Sequence, residues 1–126
     1  MESYDPHQAP DPQEWTALDE AERLLLAEEY HRRKRIRLPN PRVHACMHVI
    51  VENQIAMGDE LNVARTLCRL MSEGLDRHDA LHAIGTVMTY HMFDMSKSKV
   101  PFNNEKYTAD LDNLTPESWR RMFEED

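Results

Sequence analysis

The positions of the helix-breaking residues constrain this chain most. Leu38-Pro39-Asn40-Pro41, Gly58, Gly74, Pro101 and Thr115-Pro116-Glu117 cut it into stretches of helical length. Asn40 suits an N-cap and Pro41 a first helical position, because the cap side chain accepts an orphan N–H and proline has none to lose. Gly58 suits the left-handed residue that closes a helix. Asp76-Arg77-His78-Asp79 offers another start. Helices are predicted over about 16–35, 41–57, 59–73, 77–96 and 104–113, and from 116 onward. In the first, Thr16-Ala17-Leu18-Asp19 has the form of a capping box, followed by Leu18, Ala21, Leu24 and Leu25 on one side. The third begins at Asp59 and repeats Leu61, Ala64, Cys68 and Met71 at helical spacing. No alternating run of strand length, hairpin signal or solenoid repeat occurs. The expected fold is all-α: a compact helical bundle of four main helices plus short C-terminal helices, with short connections and antiparallel neighbours.

Composition bounds the rest. Residues 1–14 carry Pro6, Pro10 and Pro12 with Glu2, Asp5, Asp11 and Glu14 and no Lys or Arg. Such a segment buries too little to order itself, so 1–14 is expected to be a flexible, disordered acidic arm and 15–126 a single helical domain. Glu124-Glu125-Asp126 is expected to fray. No run approaches the roughly 18 apolar residues of a membrane helix, and the N-terminus lacks the basic start and apolar stretch of a secretory signal. Cys46 and Cys68 form no CxxC pair and read as reduced thiols, which makes a cytoplasmic location the expectation. Fifteen Lys and Arg against 23 Asp and Glu leave a net charge of -8, which disfavours non-specific nucleic-acid binding. The run His31-Arg-Arg-Lys-Arg-Ile-Arg37 reads first as cations at a helix C-terminus, and second as a patch for nucleic acid or an acidic partner. A protein partner or a homo-oligomer stays open.

The chemistry-bearing pattern is in the histidines, seven in all. His44, His48 and Glu52 are spaced by four. At about 100° per residue they make one stripe that drifts by about 40° per step. The remainder of that helix is almost wholly apolar, so its polar stripe faces either water or an internal polar site. His78 and His82 repeat the device, and the same face continues through the small residues Gly85, Thr86 and Thr89. A glycine inside a helix costs about 1 kcal/mol relative to alanine, which points to close approach of another helix or a ligand. His91 lies on the opposite, apolar face and reads as a core histidine or an outer group behind the site, rather than a partner of His78 and His82. Met88, Met92 and Met95 read as core filler.

Two imidazoles one helical turn apart can reach one metal ion, as in HExxH sites. Two facing pairs would supply four nitrogens, and facing helices of a bundle commonly build such centres. The candidate ligands are His44, His48, His78 and His82. Glu52 is a fifth ligand or an outer group that orients the others, and Asp79 an outer group or a plain helix-start acid. Zn, Fe, Ni, Cu and Mn all suit a nitrogen–oxygen set of this kind. The competing explanation is that both pairs are the wet faces of amphipathic helices. Cys46 is offset by two residues from either neighbouring histidine, which argues for an inert thiol rather than a nucleophile. Asn53 and Gln54 cap helices, cross-link them or line the site.

The segments His44-Ala-Cys-Met-His48-Val-Ile-Val-Glu52-Asn53-Gln54-Ile55-Ala56 and Arg77-His78-Asp79-Ala80-Leu81-His82-Ala83-Ile84-Gly85 resemble a small bacterial family, domain of unknown function 1841. The resemblance extends from about Trp15 to Phe102 and takes in Trp15-Thr-Ala-Leu-Asp-Glu and Glu29-Tyr-His-Arg. It implies a bacterial cytosolic helical protein and marks His44, His48, Glu52, His78 and His82. It implies no particular activity. Asp79 stands where the family more often has Glu, which argues against an HExxH-like base.

The expectation is therefore a small helical protein binding a divalent metal ion through two HxxxH stripes. It would be a metal-dependent hydrolase if a coordination position is open. The alternative is a non-enzymatic interaction module whose histidines form a polar interface or a buried hydrogen-bond network.

Overall fold

The computed structural model describes residues 1–58 and 61–124. Its helices, in chain order, are α1 (Pro12–Ala17), α2 (Glu20–Arg33), α3 (Pro41–Ala56), α4 (Val63–Ser72), α5 (Arg77–Ser98), α6 (Asn104–Asn113) and α7 (Pro116–Glu124). Among the described residues there is no strand, as expected. Among the described residues no helix is long and apolar enough to cross a membrane.

The predicted caps at Asn40 and Asp76 are present, with side chains accepting from Val43 N and Asp79 N respectively. Gly58 and Gly74 adopt positive φ, at 79° and 114°. The expected start at Asp59 lies outside the described residues, as do Glu125 and Asp126 of the expected frayed end.

The first predicted helix is two helices. Asp11 caps α1, its side chain accepting from Gln13 N and Glu14 N. Thr16 sits inside α1 and its hydroxyl donates to Pro12 O, so Thr16 opens nothing. The chain is extended at Leu18 and restarts under a capping box of Asp19 and Glu22. This break rephases α2. Leu25, expected on the core side, is 63% exposed, and Ala27, Tyr30 and His31 turn inward instead. The stripe expected on the third helix is also rotated. Val63, Thr66, Leu67 and Leu70 are buried, whereas Cys68 and Met71 face out.

Two apolar clusters share α3. The larger joins Val51 of α3 to Leu67 and Leu70 of α4, Leu81, Ile84 and Met88 of α5, and Tyr107 and Leu111 of α6. The smaller joins Ala45 and Val49 of α3 to Tyr4, Trp15, Ala27 and Tyr30. The N-terminal arm is thus part of the packing rather than a loose acidic segment. Tyr4 is 1% exposed, and Pro6 is buried with its carbonyl accepting from Arg77 Nη1 at 3.0 Å. A segment with little apolar surface is held here by one aromatic anchor and buried polar bonds.

Asn53 and Gln54 prove to be cross-links. Asn53 Oδ1 accepts from Trp15 Nε1 and Arg23 Nη1, tying α1 and α2 to α3. Gln54 Oε1 accepts from the Tyr107 hydroxyl, tying α6 to α3. Arg23 also donates to the carbonyls of Trp15, Thr16 and Leu18 around the end of α1, where Trp15 O accepts from Leu18 N as well.

Candidate metal centre

The i,i+4 pairs of α3 and α5 meet, and α2 adds a fifth imidazole. One ring nitrogen from each of His31, His44, His48, His78 and His82 lies within 4.8 Å of all the others. His48 Nε2 is 3.2 Å from His44 Nε2 and 3.1 Å from His82 Nε2. Nitrogens bound to one ion at ~2.0–2.1 Å stand ~3.0 Å apart at right angles and ~3.4 Å apart at tetrahedral angles, so these separations fit shared coordination.

The outer bonds decide which nitrogen of each ring is free. His31 Nδ1 is 2.8 Å from Ala27 O. A carbonyl only accepts, so His31 carries its proton on Nδ1 and leaves the Nε2 lone pair free. That Nε2 is buried without a hydrogen-bond partner, as is His78 Nε2. The Tyr4 hydroxyl donates to Glu52 Oε2 at 2.5 Å, and its oxygen lies 3.3 Å from His48 Nδ1. Tyr4 therefore accepts the His48 Nδ1 proton, and His48 too presents an Nε2 lone pair inward. A histidine whose outer N–H is bonded to a fixed acceptor is the usual arrangement of a metal ligand.

Burial favours the neutral rings that coordination requires. Desolvation first, and the neighbouring imidazoles second, push His44 and His78 down to about 4 and His82 to about 3. His48, 0% exposed, is pushed down further by the same causes.

Glu52 is not in the group of nitrogens. Its two oxygens accept from Arg77 Nη1 and Nη2, both at 2.8 Å, and Oε2 also takes the Tyr4 hydroxyl. The stripe arithmetic that put Glu52 below His48 was sound, but drift along the helix carries it past the cluster to a buried arginine. It orients His48 through Tyr4. Asp79 is exposed in the first turn of α5 and stands outside the cluster. Cys46 is half-buried and free, also outside it. His91 Nε2 lies 2.7 Å from Asp110 Oδ2, on the far side of α5 as its phase requires. His7 pairs with Asp5, its ring 5.2 Å from that of His78.

Sequence reasoning missed His31, Tyr4 and Arg77. His31 was masked by the basic residues that follow it. The signal for it was Ala27, Tyr30 and His31 at i, i+3 and i+4, which share one face wherever the helix begins. Arg77 directly precedes His78 but points about 100° away around α5, where it meets Glu52.

Two clefts reach the cluster. One of about 590 Å³ is walled partly by His44 and His82, with Leu38, Val43, Met47, Thr86, Tyr90 and Trp119. The other, of about 710 Å³, touches His31 and is rimmed by Arg32, Arg35, Arg37, Glu28 and Glu29. Gly85 serves helix approach: a Cβ there would lie 2.3 Å from Met47 Sδ.

No curated protein and no solved structure matches the chain. Residues 9–113 match the family described as domain of unknown function (DUF1841), and the chain belongs to that family.

Proposed function

We propose that this protein binds one divalent transition-metal ion through His31, His44, His48, His78 and His82. The observation that carries the reading is the crowding at His48 Nε2. It has one lone pair, its proton being on Nδ1, and two further imidazole nitrogens approach it at 3.1 and 3.2 Å. A single N–H donor could satisfy that lone pair, leaving the other approach repulsive. An ion satisfies all three nitrogens, together with the orphaned Nε2 atoms of His31 and His78.

An all-imidazole set suits Zn, Fe, Ni or Cu better than Mn, which prefers carboxylate oxygens. Glu52, the carboxylate expected among the ligands, instead fixes the His48 tautomer through Tyr4. Five donors leave one position of an octahedron open, and an ion with an open position supplies Lewis-acid and water-activating chemistry. Metal-assisted hydrolysis is the activity that such a centre supports.

The test is elemental analysis of protein purified without a histidine tag, followed by reconstitution with Zn, Ni and Fe(II). The expected result is about one ion per chain, lost in His48→Ala and in His31→Ala and retained in His91→Ala. Protein that takes up no ion, and whose melting is unchanged by all three, would overturn the reading. The histidines would then be a hydrogen-bond network inside an interaction module.

A further inference from the structure

The 590 Å³ cleft beside His44 and His82 has the size of a small-molecule site. Among the described residues that wall it there is no Asp, Glu, Lys or Arg. Its polar groups are largely committed to the backbone. Asn40 Oδ1 caps Val43 N, the Thr86 hydroxyl donates to His82 O, and the Thr89 hydroxyl donates to Gly85 O. Apolar surface is presented at the rim, where Val43 is 62% and Tyr90 58% exposed. The arginine-rimmed cleft at His31 contrasts with it and shows that the absence of charge is local.

The centre beneath the cleft has the opposite character. Its five ligands are neutral imidazoles, and Glu52 is neutralised by its two bonds to Arg77. A divalent ion held there keeps its charge uncompensated in a low-dielectric setting, which favours an anionic group at any open position.

We propose that this cleft binds a small organic monoanion, a carboxylate or a similar head on an apolar body. The head meets the metal between His44 and His82, and the body lies against Val43, Met47, Tyr90 and Trp119. The proposal rests on the metal reading above. It involves no bond breaking; it names the ligand class that the site selects.

The probe is Co(II)-loaded protein, whose visible absorption reports a change of ligand at the ion. Acetate, hexanoate and 1-hexanol are titrated separately. Hexanoate is expected to shift the spectrum and 1-hexanol to leave it unchanged. Each fully buried methylene strengthens binding by about fourfold, so hexanoate, with four more than acetate, should bind at least about tenfold tighter even in an open cleft. Val43→Asp, a rim change, should weaken hexanoate by about tenfold or more while Co(II) stoichiometry stays at the wild-type value. Stoichiometric Co(II) with hexanoate no tighter than acetate, or with Val43→Asp indistinguishable from wild type, overturns this proposal alone. Failure to bind Co(II) at all overturns the metal reading and this proposal with it.

Discussion

Replacing Arg77 with Met tests the buried polar network directly and needs no metal. The Arg77 and Glu52 side chains are only 4% and 1% exposed and form two bonds of 2.8 Å. Removing one partner of a buried ion pair typically costs about 3–5 kcal/mol, because the other charge stays buried and unpaired. Glu52 has an escape, which is to take a proton. For an ordinary carboxyl at pH 7 that costs about 2.7 pH units at 1.36 kcal/mol each, or about 3.7 kcal/mol, which sets a ceiling in the same range. The entropy of unfolding scales as ~2.1 cal/mol/K per residue, so a chain of 126 residues has about 0.26 kcal/mol/K, and the loss lowers Tm by roughly 11–19 °C. The pH dependence follows. As pH falls from 7 towards 5 the proton becomes cheaper by about 1.4 kcal/mol per unit, so the deficit of Arg77→Met relative to wild type should shrink. The double variant Glu52→Gln, Arg77→Met should recover at least half of the single variant's loss. Urea denaturation of metal-free protein at pH 7, 6 and 5 measures the free energies, and a thermal melt at pH 7 the Tm. A deficit below about 1 kcal/mol, or one that stays constant with pH, would refute the reasoning about an uncompensated buried charge.

Other outcomes are expected from the same structure. An ion at a free concentration one hundred times its Kd adds about 2.7 kcal/mol, which raises Tm by roughly 10 °C; differential scanning calorimetry with Zn or Ni, against Mg as control, reads this. In metal-free protein, His44 and His78 are held at about 4 and His82 at about 3, below the ordinary value of 6.5. The unfolded chain thus binds more protons between these limits, so stability is full above pH 6.5 and falls as pH drops towards 4. A urea midpoint unchanged from pH 7 to pH 5 would contradict that placement of the rings. Asn53→Leu leaves the buried Trp15 Nε1 without its acceptor and should cost about 1–3 kcal/mol in denaturant unfolding. The exposed Arg42→Ala, which breaks a 3.4 Å pair with Glu28, should cost less than about 0.5 kcal/mol in the same assay.

Much of the fold was written in local signals. Asn40-Pro41, Asp76 and Gly58 mark helix ends through bonds and torsions that a few adjacent residues determine. The four histidines of α3 and α5 were legible because a spacing of four puts residues on one face whatever the surroundings. Phase was harder. Thr16 and Asp19 are both competent N-caps, and the choice between them depends on Arg23, which gathers the carbonyls where α1 ends. A continuous helix through Leu18 made Leu25 look like core, and the basic run after His31 made His31 look like surface. The arm was misjudged for a related reason. Composition weighs apolar content, whereas Tyr4 and the Pro6 carbonyl are held by partners 48 and 71 residues away in sequence, at Glu52 and Arg77. Likewise, the spacing that selected Glu52 carries no information about an arginine from α5.

The division of the core into two clusters has a kinetic consequence for the centre. Four of the histidines sit on α3 and α5, within reach of the larger cluster, but His31 comes from α2, and the Tyr4 that orients His48 comes from the arm. Tyr4 belongs to the smaller cluster, as do Ala27 and Tyr30, which flank His31 on its helix. Proteins open in cooperative parts at free energies below that of global unfolding. Undocking of the arm, α1 and α2 from α3 would withdraw one imidazole and the tautomer lock together, while the four remaining histidines stay in place. On the proposed metal reading, the lifetime of a bound ion would then follow how often that unit lifts away. Hydrogen exchange at the amides of α2 and the rate of metal transfer to a chelator should share one opening step.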